Sequence, residues 1–319
     1  MANAPSMRII FMGTPDFAVP SLNILAESSH EVVAVVTAPD RPAGRGRRLK
    51  ASAVKEAALA LGIPVLQPEK LRDPDFNAGL QALKPDLMVV VAFRMLPKMV
   101  WALPSVGTFN LHASLLPDYR GAAPINWAII NGEKRTGATT FLIDAKIDTG
   151  NILLQRELEL PASWNAGDLH DALMSLGAEL VLETVEGLDQ GILKPQPQDE
   201  GLFEHPAPKI FKEDCEIDWR KSAKEIYDLI RGLSPYPGAW TTFNNEPLKV
   251  YGSELVQRDG FAPAGTLKVD EANKSLFVAC VEGWLKLTQL QMAGKKRMAV
   301  ADLLNGYKGE WPDLLGSTE

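Results

Sequence analysis

The chain has 319 residues, of which 46% are hydrophobic and 23% charged, and its net charge is −7. That length carries two domains with sizeable cores, while the acidic balance argues against nucleic-acid binding through overall charge. The two cysteines, Cys215 and Cys280, show no CxxC or Cys-His spacing, which speaks against a disulfide framework or a structural zinc, and no apolar run is long enough to span a bilayer. Met1 to Ser6 is short and polar, without a signal-peptide pattern, so the expected location is the cytoplasm.

From the first residues onward, strand and helix patterns alternate. Arg8 to Met12 reads as a short buried strand, and Phe17 to Ala26 as a helix behind the start residues Pro15 and Asp16. The valine-rich stretch Glu31 to Thr37 predicts a strand, Ala53 to Leu61 a helix, Ile63 to Leu66 a strand and Asp75 to Leu83 a helix. Leu87 to Ala92 is a continuous apolar run, the signature of a strand in the middle of a parallel sheet. Together these predict a doubly wound, Rossmann-like α/β domain over residues 7–190. Ligands of such sheets bind at the carboxyl ends of the strands, so the loops after Met12, Thr37, Ala92 and His112 are expected on one edge. A strand pair, Ala138 to Ile143 and Asn151 to Arg156, and a long helix from Ala166 to Leu188 follow.

Residues 191–210 carry Pro195, Pro197, Pro206 and Pro208 and read as a linker. Beyond them, residues 211–319 begin with a helix at Ser222 to Leu233 and continue as five short strand patterns. That pattern predicts a small OB-like β-barrel, a fold that often holds nucleic acid.

The segment Thr108 to Pro124 carries the strongest chemical signal. Phe109 and Leu111 are apolar, Asn110 and His112 polar. The period of two on a strand puts Asn110 and His112 on one face. An amide beside an imidazole at a strand end can polarise a carbonyl and move a proton. Pro117, Gly121 and Pro124 then turn the chain into a loop. Asp144 and Asp148 lie in a polar turn between the next two strands. A carboxylate folded back beside His112 would complete a general acid/base site, and spacing alone does not choose between the two.

Positive charge is concentrated in two places. Arg41, Arg45, Arg47, Arg48 and Lys50 crowd into a glycine-bearing loop on the expected active edge, and Lys295, Lys296 and Arg297 follow Gly294. Both suit contacts to a phosphate backbone. The GxGxxG and GxxxxGK[ST] orders are absent, so neither a nicotinamide site nor a P-loop is expected.

Asn110-Leu-His112, Ser114-Leu-Leu-Pro117, Arg120-Gly-Ala-Ala-Pro124 and Asp148-Thr-Gly150 resemble the signature of the folate-dependent formyltransferases. The opening Ile10 to Phe17, the loop Asp40 to Leu49 and the late Gln291 to Lys296 are similar to the members of that family that act on methionyl-tRNA. The resemblance implies formyl transfer from 10-formyltetrahydrofolate to the α-amino group of aminoacylated initiator tRNA, without a metal; the expected state of the chain is a monomer. It further implies that Asn110 holds the formyl oxygen, His112 stabilises the oxyanion and Asp148 orients His112 and helps remove the amine proton. Ser114, Leu115, Leu116 and Pro117 would line the folate site. Arg45, supported by Arg47, Arg48 and Lys50, would contact the tRNA, as would Lys295 and Lys296. One departure stands out: Ala92-Phe-Arg-Met-Leu-Pro97 is a residue shorter than the family's run and lacks its glycine, in a loop that borders the folate pocket in that family. The other readings open to these residues are a formyltransferase for a nucleotide-sugar or purine-precursor amine, a hydrolase of the folate, and a non-catalytic nucleic-acid-binding protein.

Overall fold

The structure is a computed structural model that describes residues 7–43, 48–258, 260 and 262–316. The first strand, β1 (Arg8–Gly13), leads through a 3-10 turn at Asp16–Ala18 into α1 (Val19–Ala26) and then β2 (Glu31–Val36). A hairpin of β3 (Arg41–Ala43) and β4 (Arg48–Lys50) precedes α2 (Ala53–Ala60), β5 (Val65–Leu66), α3 (Pro74–Ala82) and β6 (Leu87–Val91). After α4 (Lys98–Trp101) come β7 (Gly107–His112), α5 (Pro124–Ile130), β8 (Arg135–Leu142), β9 (Ile152–Glu159) and α6 (Ala166–Asp189).

Seven of these strands form one sheet in the order β5-β2-β1-β6-β7-β8-β9. The pairs β1–β2, β2–β5, β1–β6 and β6–β7 are parallel, whereas β7–β8 and β8–β9 are antiparallel. The doubly wound expectation therefore holds, with an antiparallel edge added to it. All five residues of β6 are buried, which is why that strand reads as one unbroken apolar run rather than an alternation. Strand order reverses between β1 and β6, and the carboxyl ends of β1, β2, β6 and β7 share an edge, where a doubly wound sheet binds its ligand.

The helix ends follow the local chemistry. Ser52 caps α2 by accepting from the Lys55 amide, and Asp73 caps α3 ahead of Pro74, so the first-turn amides find acceptors. The flanks of the basic loop pair as strands, Arg41 opposite Lys50 and Ala43 opposite Arg48. At its root the Asp40 carboxylate accepts from Lys55 Nζ at 2.6 Å and Gln67 Nε2 at 2.8 Å, and these bonds hold its pKa below the ordinary value. Arg45 and Arg47 lie outside the described residues.

The chain divides into two compact units that interleave in sequence. The first holds the chain up to Gly121 with Arg135–Glu159 and His170–Pro206, and the second holds Ala122–Lys134, Leu160–Leu169 and the chain from Ala207 onward. The stretch 191–210 is not bare chain. Gln196 pairs with Ile152 through two backbone hydrogen bonds of 2.7 and 2.8 Å.

In the second unit, α7 (Ala223–Gly232) is followed by β10 (Ala239–Phe243), β11 (Glu246–Val256), β12 (Leu267–Asp270), β13 (Ser275–Ala279), β14 (Trp284–Met292), β15 (Met298–Ala299) and α8 (Val300–Gly306). The strands form an antiparallel sheet in the order β10-β11-β14-β13-β12, with β15 on β14. The OB-like expectation is met as an antiparallel sheet domain. Its core gathers Ile226, Ile230 and Leu233 from the helix side with Val250, Leu285 and Leu287 from the sheet. Ser222 and Glu225 cap α7 reciprocally, satisfying two otherwise orphaned amides. The helix α5, which starts at Pro124 where the expected loop ends, belongs to this unit, and Asn126 Nδ2 donates to the Gly232 carbonyl at 2.7 Å.

A buried ion pair sits on α7. Arg231 Nε donates to Asp228 Oδ1 at 2.7 Å, with both side chains under a tenth exposed. Arg231 Nη1 also donates to the Trp164 carbonyl at 2.9 Å. Removing one partner strands the other charge away from water. Asp228→Ala should therefore destabilise the protein by about 3–5 kcal/mol, read as a lower urea midpoint at unchanged slope; an unmoved midpoint would contradict the pair's role. Both cysteines are free and buried, and burial raises the Cys215 pKa and pushes that of Cys280 up to about 12. Neither thiol should react with a disulfide reagent at pH 8 until denaturant is added, because the thiolate is the reactive form.

Candidate active site

The site is built where β7 ends. Alternation turns Leu111 towards α6, where an added Cβ on Gly177 would come within 2.7 Å of Leu111 Cδ2. A glycine there lets the helix lie close behind the strand. Asn110 and His112 consequently share the opposite face. Asn110 is half-buried, opposite Val90 of β6 and Phe141 of β8, and its side-chain amide has no hydrogen-bond partner among the described residues.

His112 is buried, hydrogen-bonded at one ring nitrogen and faced by a carboxylate at the other. Its Nε2 lies 2.9 Å from the Tyr119 carbonyl oxygen. A carbonyl only accepts, so Nε2 carries the hydrogen and donates. In the neutral ring Nδ1 then bears the lone pair, and it faces Asp148 Oδ2 at 3.9 Å. The Phe141 ring meets the imidazole edge-on, with centroids 6.5 Å apart. The resulting pair can accept or hold one proton between a nitrogen and a carboxylate oxygen.

Geometry separates the two aspartates that spacing left open. Asp144 is exposed and closes its own turn, accepting from the Lys146 amide at 2.9 Å and from Thr149 Oγ1 at 3.0 Å. Asp148 is folded back beside His112, and its Oδ2 accepts from the Gly121 amide at 3.0 Å. Its backbone is left-handed, with φ of +54°, a conformation costly for a residue other than glycine. Gly150 is required by close approach, since a Cβ there would lie 1.6 Å from the Leu142 carbonyl oxygen.

The loop after His112 is knitted from within. Ser114 Oγ donates to the Asp118 carbonyl at 2.7 Å, Thr139 Oγ1 donates to the Ser114 carbonyl at 2.7 Å, and Gln155 Nε2 donates to the Leu116 carbonyl at 2.8 Å. Ser114, Leu116 and Pro117 are buried, and Leu115 is partly so. On the neighbouring edge, the loop after β6 leaves Ala92, Arg94 and Met95 exposed. Arg94 is pinned by its guanidinium, which donates to the carbonyls of Pro68 and Glu69.

The basic residues fall on both units. Lys50 is exposed at the end of β4, and Arg48 opens that strand. Lys295 and Lys296 are exposed in the turn between β14 and β15. Arg297 beside them lies 4.5 Å from the Tyr251 ring centroid.

Several residues at the site lie outside the Asn110–His112 face and the two aspartates. Tyr119 and Gly121 act through backbone atoms, and Gln198 comes from the proline-bearing stretch, its Nε2 donating to the carbonyls of Asp148 at 2.9 Å and Gly150 at 2.8 Å.

Comparison with known proteins agrees with this architecture. Residues 7–185 match the family described as Formyl transferase, and residues 209–308 match Formyl transferase, C-terminal domain. A methionyl-tRNA formyltransferase of Parabacteroides distasonis is 52% identical over 95% of this chain and 96% of its own. One from Flavobacterium johnsoniae is also 52% identical, over 94% and 96%. An N-formyltransferase from Helicobacter canadensis, solved with folinic acid and dTDP-3-aminofucose, superposes with a TM-score of 0.67 at 20% identity, covering 89% of this chain and 100% of its own; at that identity it speaks for the fold. Matched over both units and nearly its full length, the chain belongs to the formyl transferase family, on its methionyl-tRNA formyltransferase branch.

Proposed function

We propose that this protein transfers the formyl group of 10-formyltetrahydrofolate to the α-amino group of methionyl-tRNA, with Asn110, His112 and Asp148 as its catalytic residues. The observation that carries this reading is the juxtaposition of an unpartnered Asn110 amide with an imidazole that is held by the Tyr119 carbonyl and faces the Asp148 carboxylate. The similarity to the Parabacteroides and Flavobacterium enzymes supports the choice of acceptor.

The folate supplies an activated formyl group. The residues at the carboxyl edge fit such a group, because the Asn110 amide is free to donate to a carbonyl oxygen. Ser114 to Pro117, fixed by Thr139 and Gln155, and the exposed loop after β6 form the proposed walls of the donor site. As the amine attacks, negative charge grows on the formyl oxygen. Asn110 donates to that charge, and a preorganised donor gives most of its benefit there. The amine must lose one proton and the departing nitrogen must gain one. The Nδ1–Asp148 pair is placed to take up the first and return it. The Gly121 amide, donating to Oδ2, fixes the Asp148 carboxylate on the Nδ1 side of the ring. This chemistry needs no metal ion. The tRNA contact is assigned to Arg45, Arg47, Arg48 and Lys50 around the hairpin and to Lys295 and Lys296 on the second unit; the proposed setting is the cytoplasm and the proposed state a monomer.

The test is formation of formyl-methionyl-tRNA by the purified chain. Asn110→Ala should lower kcat/KM about a hundredfold to a thousandfold, and His112→Ala by about 10²–10⁴-fold. Lys50→Ala and Lys295→Ala should each flatten the slope of log affinity against log salt by about one, the value of a single phosphate interaction. Folate consumption without formylated tRNA would contradict the acceptor and point to a sugar amine or water. Full activity of His112→Ala would contradict the catalytic assignment.

A further inference from the structure

The segment that follows α6 returns to the site and grips it at several points. Gln198 Nε2 donates to two backbone carbonyls of the Asp148 turn, at 2.9 and 2.8 Å. Its Oε1 accepts from Arg120 Nε at 3.0 Å and Nη2 at 2.6 Å. Arg120 in turn pairs with Glu200 at 2.8 Å, and lies 5.5 Å from the Phe203 ring centroid. This guanidinium holds the Glu200 carboxyl below the usual glutamate range. Further along, the His205 carbonyl accepts from the Tyr119 amide at 2.7 Å, and the His205 ring stacks on that of Tyr119.

These bonds converge on three consecutive residues. The Tyr119 carbonyl holds His112, the Arg120 side chain holds Gln198, and the Gly121 amide holds Asp148. Gln198 closes the ring from the far side by fixing the carbonyl of Asp148, a residue whose left-handed backbone would otherwise relax. A single amide is suited to this task. Its NH₂ supplies the two donors that carbonyls require, and its oxygen supplies the acceptor that arginine requires.

We propose that Gln198 is a positioning residue of the active site, acting through the Asp148 backbone to keep the carboxylate facing His112 Nδ1. The proposal rests on the reading of His112 and Asp148 as catalytic only for its kinetic consequence, since the placement of the carboxylate beside the ring can be measured without turnover.

The test uses Gln198→Met, which keeps length and loses both polar groups, and Gln198→Glu, which keeps an acceptor for Arg120 but sets a carboxylate against two carbonyls. In the full chain, Gln198→Met should lower kcat about tenfold to a hundredfold, the cost of a small misplacement of reacting groups, while KM for both substrates stays within about twofold. Gln198→Glu should lose at least as much. Nitrogen and proton resonances of the four histidine rings, with His112 assigned by its loss in His112→Ala, give the independent readout. Those of His112 should move in both variants while those of His30 and His170 stay in place. Unmoved His112 resonances in a folded variant would overturn the proposal, whether or not kcat falls. Moved resonances in a protein that fails to formylate methionyl-tRNA would uphold it and reject only the activity.

Discussion

The hydrogen bond of 2.9 Å between His112 Nε2 and the Tyr119 carbonyl governs the rest of the site. An acceptor at Nε2 fixes the tautomer, and the tautomer leaves Nδ1 as the nitrogen that faces Asp148. Which ring nitrogen is left open to take a proton therefore depends on where a loop carbonyl is placed. Tyr119 is itself in a left-handed conformation, with φ of +57°, so the carbonyl stays in place only because its surroundings hold it. The His205 carbonyl on its amide and the His205 ring on its side chain do so.

The fold supplies what such a loop cannot supply for itself. A mixed sheet carries β7 as a rigid rail, parallel to β6 on one side and antiparallel to β8 on the other, with α6 close against the far side of Leu111. Asn110 and His112 are thereby fixed relative to one another before any ligand arrives. The loops around that rail include two non-glycine residues in strained backbone conformations, Tyr119 and Asp148. Strain of this kind persists where several hydrogen bonds over-determine it, and the stretch following α6 provides those bonds.

Much of this was legible in the residues. The period-two alternation of Phe109 to His112 identified the face, because strand geometry leaves no other arrangement. The unbroken apolar run at Leu87 to Val91 marked the middle of the sheet for the same kind of reason. The choice between Asp144 and Asp148 was not legible, since both sit in one polar turn and only the fold brings one of them to His112. Gln198 was hidden by its neighbours: Pro195, Pro197 and the surrounding polar residues have the composition of a linker, and composition does not report long-range hydrogen bonds. Helix α5 was hidden too. Its seven residues, Pro-Ile-Asn-Trp-Ala-Ile-Ile, follow directly on a glycine- and proline-bearing loop and are too few to show a helical period. The hairpin β3–β4 was masked by the glycines and the proline that make its sequence look like loop.

The most direct test of this account is a double-mutant cycle on kcat/KM for formyl transfer with His112→Ala, Asp148→Asn and the two combined. If the carboxylate works through the imidazole, the double variant will be about as slow as His112→Ala alone, the non-additivity of residues that act as a unit. Losses that simply add would mean that His112 and Asp148 act separately, and the proton-holding pair at the centre of this account would have to be abandoned.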